Sequence, residues 1–498
     1  MSDSWLGYIY SNDSSVNFVP QKVQNLVIRD YLSKVNKDYK LSFTEFNFDD
    51  LYITLKTILS DKINSRIAFY SFDLFPTKED DLFTSIRGEI SSGNLEIIFA
   101  LEEVHISCVE DFDTFFKTRE MSNFLTRTDF STSNTRVRFR DLRVHDRGLR
   151  KKYINSINSI FDHGMIVEGS ELEEFEKNLS AKIGTEFSLG LSSGTDSIYL
   201  ALKALGIKKG DQVLIPNMSW IATAHAVSMC EATPVFVDIK NDLTICEYSL
   251  ERLITSCSKA IIAVHFMGHI CNMKKISSIA KKHNLKVIED CAQSFGSEID
   301  GIMAGNFSDI SCFSFNPMKG LNAFGEAGAI CTNNKEFYES IRTMRYCGYV
   351  DGQVQGVSLN YRLDTIQASF LNINLSDLAR KQSKMNLISN YYIQNLSNDF
   401  EIVQGSNNNP GSNYGFVLFL DNRNLYIDKL SHLGIETRVQ HVPLMSEYSF
   451  YKDCPSEHEN ADIIKNKILN LPFHEKLDYE QLDYIVTSLL SIRESLDG

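Results

Sequence analysis

Three short stretches bring together residue types that can do chemistry. Leu191-Ser192-Ser193-Gly194-Thr195-Asp196-Ser197 stands between a strand-like and a helix-like run. Backbone N–H groups at a helix start, with Ser and Thr hydroxyls beside them, make an anion site that needs no basic residue. Val287-Ile288-Glu289-Asp290-Cys291-Ala292-Gln293 ends a buried-strand pattern in two adjacent acids, which are costly to bury unless something meets them. A carboxylate at Asp290 could hold a ring nitrogen in its protonated form. Ser311-Cys312-Phe313-Ser314-Phe315-Asn316-Pro317-Met318-Lys319 places an amine in a loop after a strand, where partial desolvation favours a Schiff base. Each stretch alone also has a plain reading: a helix N-cap, a strand-end acid capping the next helix, an exposed lysine. In this order, an anion cradle, an acid for a pyridinium and a Schiff-base lysine are the parts that pyridoxal phosphate requires.

The elements that must position them follow from periodicity. From about residue 151 the pattern is strongly α/β, with amphipathic helices at 171–183 and 195–205. Strand-like runs fall at 212–215, 234–237, 260–264, 286–288, 309–313 and 329–332. All three stretches then sit at carboxyl ends of strands, where open α/β sheets place ligands. The expected organisation is a large, mostly parallel α/β domain over 151–380 and a smaller α/β domain over 381–498. Residues 1–126 alternate strand and helix patterns on their own and predict a small preceding α/β domain with a mainly parallel sheet. Between them, 127–150 holds seven arginines among Ser, Thr and Asp, and reads as a linker or as an arm lying on another surface.

Composition excludes other classes. The 498 residues are 43% hydrophobic and 23% charged, ordinary values for a globular chain with a large core. A net charge of −14 lacks the footprint of general nucleic-acid binding. No apolar run approaches the ~20 residues of a membrane span, and Met1–Tyr10 has no secretory pattern. Ten scattered cysteines without a CxxC pair read as thiols of a reducing compartment, so a cytoplasmic protein is expected. His265 and His269 have i, i+4 spacing but no Glu at 266, so no metal site is expected.

Over roughly 161–498 the chain resembles the DegT/DnrJ/EryC1/StrS sugar aminotransferases, which have the aspartate-aminotransferase-type fold. The blocks are 169–176, Ser193-Gly194-Thr195-Asp196, 210–213, 232–238, Glu289-Asp290, 314–319, Asn360-Tyr361-Arg362-Leu363 and Leu471-Pro472. The resemblance implies a pyridoxal-phosphate-dependent aminotransferase acting on a keto sugar or sugar-phosphate-like carbonyl, with L-glutamate as donor and a homodimer as the working unit. Lys319 would carry the cofactor and shuttle the proton, and Asp290 would pair with the pyridine nitrogen. Gln293 would approach the ring hydroxyl, and Gly194, Thr195 and Ser314 would bind the phosphate. Trp220 would stack on the ring, and Asn360 would reach the neighbouring subunit's cofactor. Asn316, Tyr361 and His441 are looser substrate-side matches. Gly325-Glu326-Ala327-Gly328 departs from the family's Gly-Glu-Gly-Gly and hints at an unusual or phosphorylated keto substrate. Retention of Lys319, which the family's dehydratases replace by His, favours transamination. The alternatives are a non-catalytic or regulatory protein on the same fold whose N-terminal domain is the working part, or a pyridoxal-phosphate-dependent sugar dehydratase. Residues 1–126 separately resemble a small family found in sporadic carbohydrate-biosynthesis clusters, with Arg29, Glu45, Ser71 and Glu102 as polar candidates.

Overall fold

A computed structural model describes residues 4–11, 21–35, 37–46, 55, 59, 66–69, 81–100, 104–114, 135–405 and 414–497. The chain divides into two compact units, Met1–Thr132 and Ser133–Gly498. In the first, strands β1 (Ser4–Ser11), β2 (Asp38–Phe46), β3 (Arg66–Phe69), β4 (Glu96–Phe99) and β5 (Val104–Ile106) form one sheet in the order β2-β1-β3-β4-β5. All pairings are parallel except β4 with β5. Phe69, Phe99, Ile86 and Phe112 are buried in its core. Of its polar candidates, Arg29 is exposed on the helix Gln21–Lys34, and Glu45 belongs to β2. Ser71 and Glu102 lie outside the described residues.

In the second unit β6 (Phe187–Leu191), β7 (Gln212–Pro216), β8 (Thr233–Val237), β9 (Ser258–Val264) and β10 (Lys286–Asp290) are followed by a short hairpin, β11 (Glu298–Ile299) and β12 (Ile302–Met303). Then come β13 (Ile310–Ser314) and β14 (Gly328–Thr332). The large sheet runs β6-β14-β13-β10-β9-β7-β8, with β14 alone antiparallel to the rest. Its strands are near-continuous apolar runs because helices cover both faces, as parallel sheets require. After a second hairpin, β15 (Tyr349–Val350) and β16 (Gln353–Val354), the chain enters a smaller lobe. There β17 (Glu401–Ile402), β18 (Phe416–Phe419) and β19 (Ile468–Leu471) form an antiparallel sheet against the helices Leu378–Leu396 and Tyr479–Asp497. Among the described residues no helix is long and apolar enough to cross a membrane.

The Arg-rich stretch differs from a free connector. From residue 135 it is a strap on the small lobe: Val137 pairs with Ile435, and Gly434 O accepts from Arg136 N and Val137 N at 2.8 and 2.9 Å. Arg136 lies 3.8 Å above the Tyr484 ring, and Asp146 N-caps the helix Arg147–His163 through Leu149 N at 2.7 Å. Val137 and Phe139 are buried, Val137 in the small-lobe core, but the alternation with Arg136, Arg138 and Arg140 is too short to stand out among so many arginines.

Candidate active site

The carboxyl ends of β6, β7, β10 and β13 open on a cavity of about 740 Å³. Leu191 ends β6, and the helix Gly194–Ala204 starts three residues later, with Ser193 Oγ accepting from Asp196 N at 3.1 Å. The first N–H groups of such a helix have no partner within it and face outward. Gly194 and Thr195 line the cavity together with Ser314 at the end of β13. The approach is so close that a β-carbon on Gly194 would stand 2.6 Å from Ser314 Cβ. Behind this turn, Gly328 on β14 leaves no room either: a β-carbon there would stand 2.2 Å from Ser193 O and 2.7 Å from Gly194 N. Of the Ala327-Gly328 pair, the position that needs glycine is the one that has it. Gly328→Ala is expected to cost about 3 kcal/mol and to weaken cofactor retention, measured by urea unfolding and dialysis.

Asp290 ends β10 between Val264 and Cys312 and is only 4% exposed. Its carboxylate accepts from Thr223 Oγ1 at 3.2 Å and from Ala292 N at 3.1 Å. Burial raises its pKa above the ordinary carboxylate value, with the Ala292 N–H and the charge of Lys319 offsetting part of the rise. A buried carboxylate in that state favours a cationic partner. Its neighbour Glu289 points to the opposite face and is structural. Glu289 accepts from Gly305 N and Phe307 N at 2.8 Å each and meets His265 Nε2 at 2.8 Å. Although burial alone would raise it, Glu289 is held below the usual range by these partners. Cys271 N donates to His265 Nδ1 at 3.2 Å, so that nitrogen keeps a lone pair and the proton sits on Nε2. His265, Glu289 and Cys291 lie within metal-ligand reach of one another, but the histidine nitrogens and both Glu289 oxygens are already engaged.

Lys319 follows β13 in a turn that Asn316 builds: Asn316 Oδ1 accepts from Met318 N at 3.1 Å, and its amide donates to Glu326 at 2.7 Å. Asn316 lines the cavity, but its bonds shape the lysine's loop. Lys319 Nζ lies 5.3 Å from the centre of the Tyr414 ring. Tyr414 and Thr223 are cavity residues that the sequence reading missed.

Opposite lie Gln293, His441 and Trp220. Gln293 Oε1 accepts from Met267 N at 2.9 Å, which turns its amide nitrogen toward His441 Nε2 at 3.1 Å. His441 therefore carries its proton on Nδ1, a buried atom with no hydrogen-bond partner. Burial and the nearby Lys319 charge pull its pKa down to about 3. The folded protein thus keeps this ring neutral while the unfolded chain takes up a proton below about 6.5. Stability is lost as pH falls through that window toward 3. His441→Gln is expected to flatten this acid sensitivity, read as urea midpoints of the cofactor-free protein at pH 7 and pH 5. Trp220 is 61% exposed on the rim, its ring centre 6.1 Å from that of His441.

Two expected residues stay outside this cavity. Tyr361 is corrected: its ring is buried in the core, 6.2 Å from that of Tyr199, and burial raises its hydroxyl to about 12. What it contributes is backbone, since Ser192 N donates to Tyr361 O at 2.9 Å and braces the turn before Gly194. Asn360 is exposed, its Oδ1 accepting from Arg362 N and Nε at 3.3 Å each.

The cavity suits pyridoxal phosphate on its own features. It offers a cradle in which no β-carbon fits, a buried carboxylate favouring a cation, one amine, and an unpartnered buried ring nitrogen at His441. The model of the DegT/DnrJ/EryC1/StrS aminotransferase family matches residues 148–490. The UDP-N-acetyl-3-dehydro-alpha-D-glucosamine 3-aminotransferase of Acidithiobacillus ferrooxidans is 33% identical over 373 residues, 74% of this chain and 100% of that protein. A DegT DnrJ EryC1 StrS aminotransferase from Brucella abortus superposes with a TM-score of 0.70 at 28% identity, covering 72% of this chain and 99% of that one. NtdA from Bacillus subtilis with bound cofactor PMP gives 0.67 at 26% identity, covering 73% of this chain and 86% of that one.

Proposed function

The chain belongs to the DegT/DnrJ/EryC1/StrS aminotransferase family, and on that premise we propose that it aminates a keto sugar or sugar-phosphate-like carbonyl in amino-sugar or surface-glycan biosynthesis. Pyridoxal phosphate is the cofactor and L-glutamate the donor. The observation that carries this reading is the meeting of Lys319, Asp290 and the Gly194–Ser314 cradle in one cavity. A regulatory protein with a decayed site has no use for a buried carboxylate facing an amine.

When bound, pyridoxal phosphate supplies the electron sink for the pair left as a proton leaves the donor's α-carbon. The N–H groups of Gly194 and Thr195, with the hydroxyls of Thr195 and Ser314, hold its phosphate. Trp220 offers an indole face to the ring. Asp290, oriented by Thr223 and Ala292, keeps a proton at the ring nitrogen. Lys319 Nζ would hold the cofactor and, when free, would take the proton from the donor's α-carbon. With the acceptor bound, it returns a proton to the carbon that keeps the new amine. Gln293 and the neutral His441 present uncharged donors toward the ring hydroxyl and the sugar.

The working unit is a homodimer. Beside Asn360, Val357 and Leu359 are fully and 63% exposed, large apolar side chains that a partner subunit would cover. Asn360→Ala is expected to weaken cofactor retention about tenfold, the worth of one hydrogen bond to a charged group, as measured by equilibrium dialysis. The ten unpaired cysteines fit a cytoplasmic location.

The reading is tested by adding glutamate and a panel of keto sugars, free, phosphorylated and nucleotide-linked, to the cofactor-loaded protein and analysing products by mass spectrometry. An amino sugar formed with 2-oxoglutarate is the expected result. Loss of glutamate with no aminated product would overturn it.

A further inference from the structure

A second cavity, about 400 Å³, shares Met318 and Lys319 with the first. Three distant parts of the chain build much of its wall: the strap at 140–149, the start of the helix Leu378–Leu396, and residues 474–476. Charge in it is unbalanced. Its acids are Asp141, Asp146 and Glu475. Asp141 is held by the Arg143 guanidinium at 2.9 and 2.8 Å, and Asp146 is spent on capping its helix. Arg380 is likewise matched, by Asp377 at 2.6 Å.

Arg140, Lys381 and Lys476 hydrogen-bond only to neutral groups, with Glu475, Asp377 and Asp141 acting on them from farther off. Arg140 donates to the Tyr414 carbonyl, Lys476 to the carbonyls of Asp141 and Arg143, and Lys381 to Asn374 Oδ1 at 3.2 Å. Among the described residues no carboxylate comes within ion-pair distance of any of the three, and all are at least half-buried. Burial pulls the Lys381 ammonium below its ordinary pKa. Cations without an ion pair in a half-buried wall are costly unless an anion joins them. Leaving Lys319 to the cofactor, Arg140, Lys381 and Lys476 outnumber the two acids, Asp146 and Glu475, that have no cation of their own. The wall keeps a net positive charge, which suits an anion such as a phosphoryl group.

A second feature points to the same ligand. His474 is only 5% exposed and meets Arg138 O through Nε2 at 3.2 Å, while its Nδ1 is buried without a partner. With the proton on Nε2, Nδ1 is an acceptor that a sugar hydroxyl can satisfy. We infer that this second cavity binds the phosphoryl group of the amino acceptor, through Arg140, Lys381 and Lys476, with a ligand hydroxyl on His474. The inference rests on the aminotransferase reading for which co-substrate carries the anion. Because Lys319 walls both cavities, one phosphorylated keto sugar can keep its carbonyl in the first and its phosphate in the second.

The test uses the full-length, cofactor-loaded enzyme and inorganic phosphate as the probe; the first cavity's phosphate cradle is then already filled. Phosphate is expected to bind saturably by calorimetry and to compete with the acceptor but not with glutamate. Lys381→Met, which keeps the apolar stem, is expected to weaken phosphate binding at least tenfold, with the cofactor absorbance reporting that the variant is folded. If that variant does not fold, Lys476→Met and the competition pattern of the native enzyme decide. No saturable binding, equal binding in both variants, or competition against glutamate overturns the assignment. Amination of an unphosphorylated or nucleotide-linked sugar by an enzyme that ignores phosphate removes this inference and leaves the aminotransferase reading standing. Phosphate bound at Lys381 without amination of any sugar keeps the anion site and removes the reaction.

Discussion

Lys319→Ala is expected to fold normally, to bind pyridoxal phosphate only reversibly, and to lose turnover by at least about 10⁴-fold, the upper range for a positioned acid–base group. The size of the effect follows from the cavity's inventory. Among the described residues that line it, Lys319 is the one lysine, and no arginine accompanies it. No other amine lining this cavity can take over the anchoring or the proton transfer. Truncation removes a side chain that lies against the Tyr414 ring and bears no backbone load, so the Asn316 turn should persist. Borohydride should fix cofactor to the native protein and not to the variant. Partial rescue by a small added amine would separate loss of the amine from damage to the fold. A variant that still fixes cofactor with borohydride would sink the assignment.

Asp290→Asn is expected to retain cofactor but to slow the glutamate half-reaction by about 10²–10³-fold, a range typical of removing one preorganised electrostatic partner. The amide occupies the same volume and can keep the bonds to Thr223 and Ala292. What disappears is the negative charge that holds the ring proton. The same substitution has an opposite effect on the empty protein. A carboxyl whose folded pKa is raised binds more protons folded than unfolded, so its contribution to stability falls as pH rises above the ordinary value near ~3.9. Asn removes that loss, and the cofactor-free variant should unfold at a higher urea concentration at pH 7. A variant at once as fast as the native enzyme and no more stable would make Asp290 a plain strand-end cap.

The sequence made one wall of the cavity legible because its chemistry is local. A strand end followed at once by a helix start or a turn is contained in Leu191–Thr195, with its glycine, and in Ser314–Lys319. Asp290 was visible for the same reason, since alternation along β10 sends it and Glu289 to opposite faces. Tyr361 was misread because a tyrosine beside polar residues carries no mark of which way its ring turns; here it turns into the core. Tyr414, Thr223 and the cationic cavity stayed hidden for a different reason. Arg140, Lys381 and Lys476 become neighbours only when the strap is laid on the small lobe, and no local pattern records that juxtaposition. The strap was hard to see likewise: backbone bonds to Gly434 and a guanidinium on Tyr484 have no periodic signature, and Val137 and Phe139 are a single apolar alternation among arginines.

Tyr414 faces two ways at once. Its ring is the surface that the Lys319 ammonium lies against, and its carbonyl is held by Arg140. A compound that drew Arg140 away would loosen the seat of the reactive amine from behind, without contesting the cofactor or entering the cavity where the donor binds. Inhibitors of this enzyme therefore have a point of purchase separate from the cradle of Gly194 and Ser314, lined by a strap whose arginines belong to this chain's own sequence.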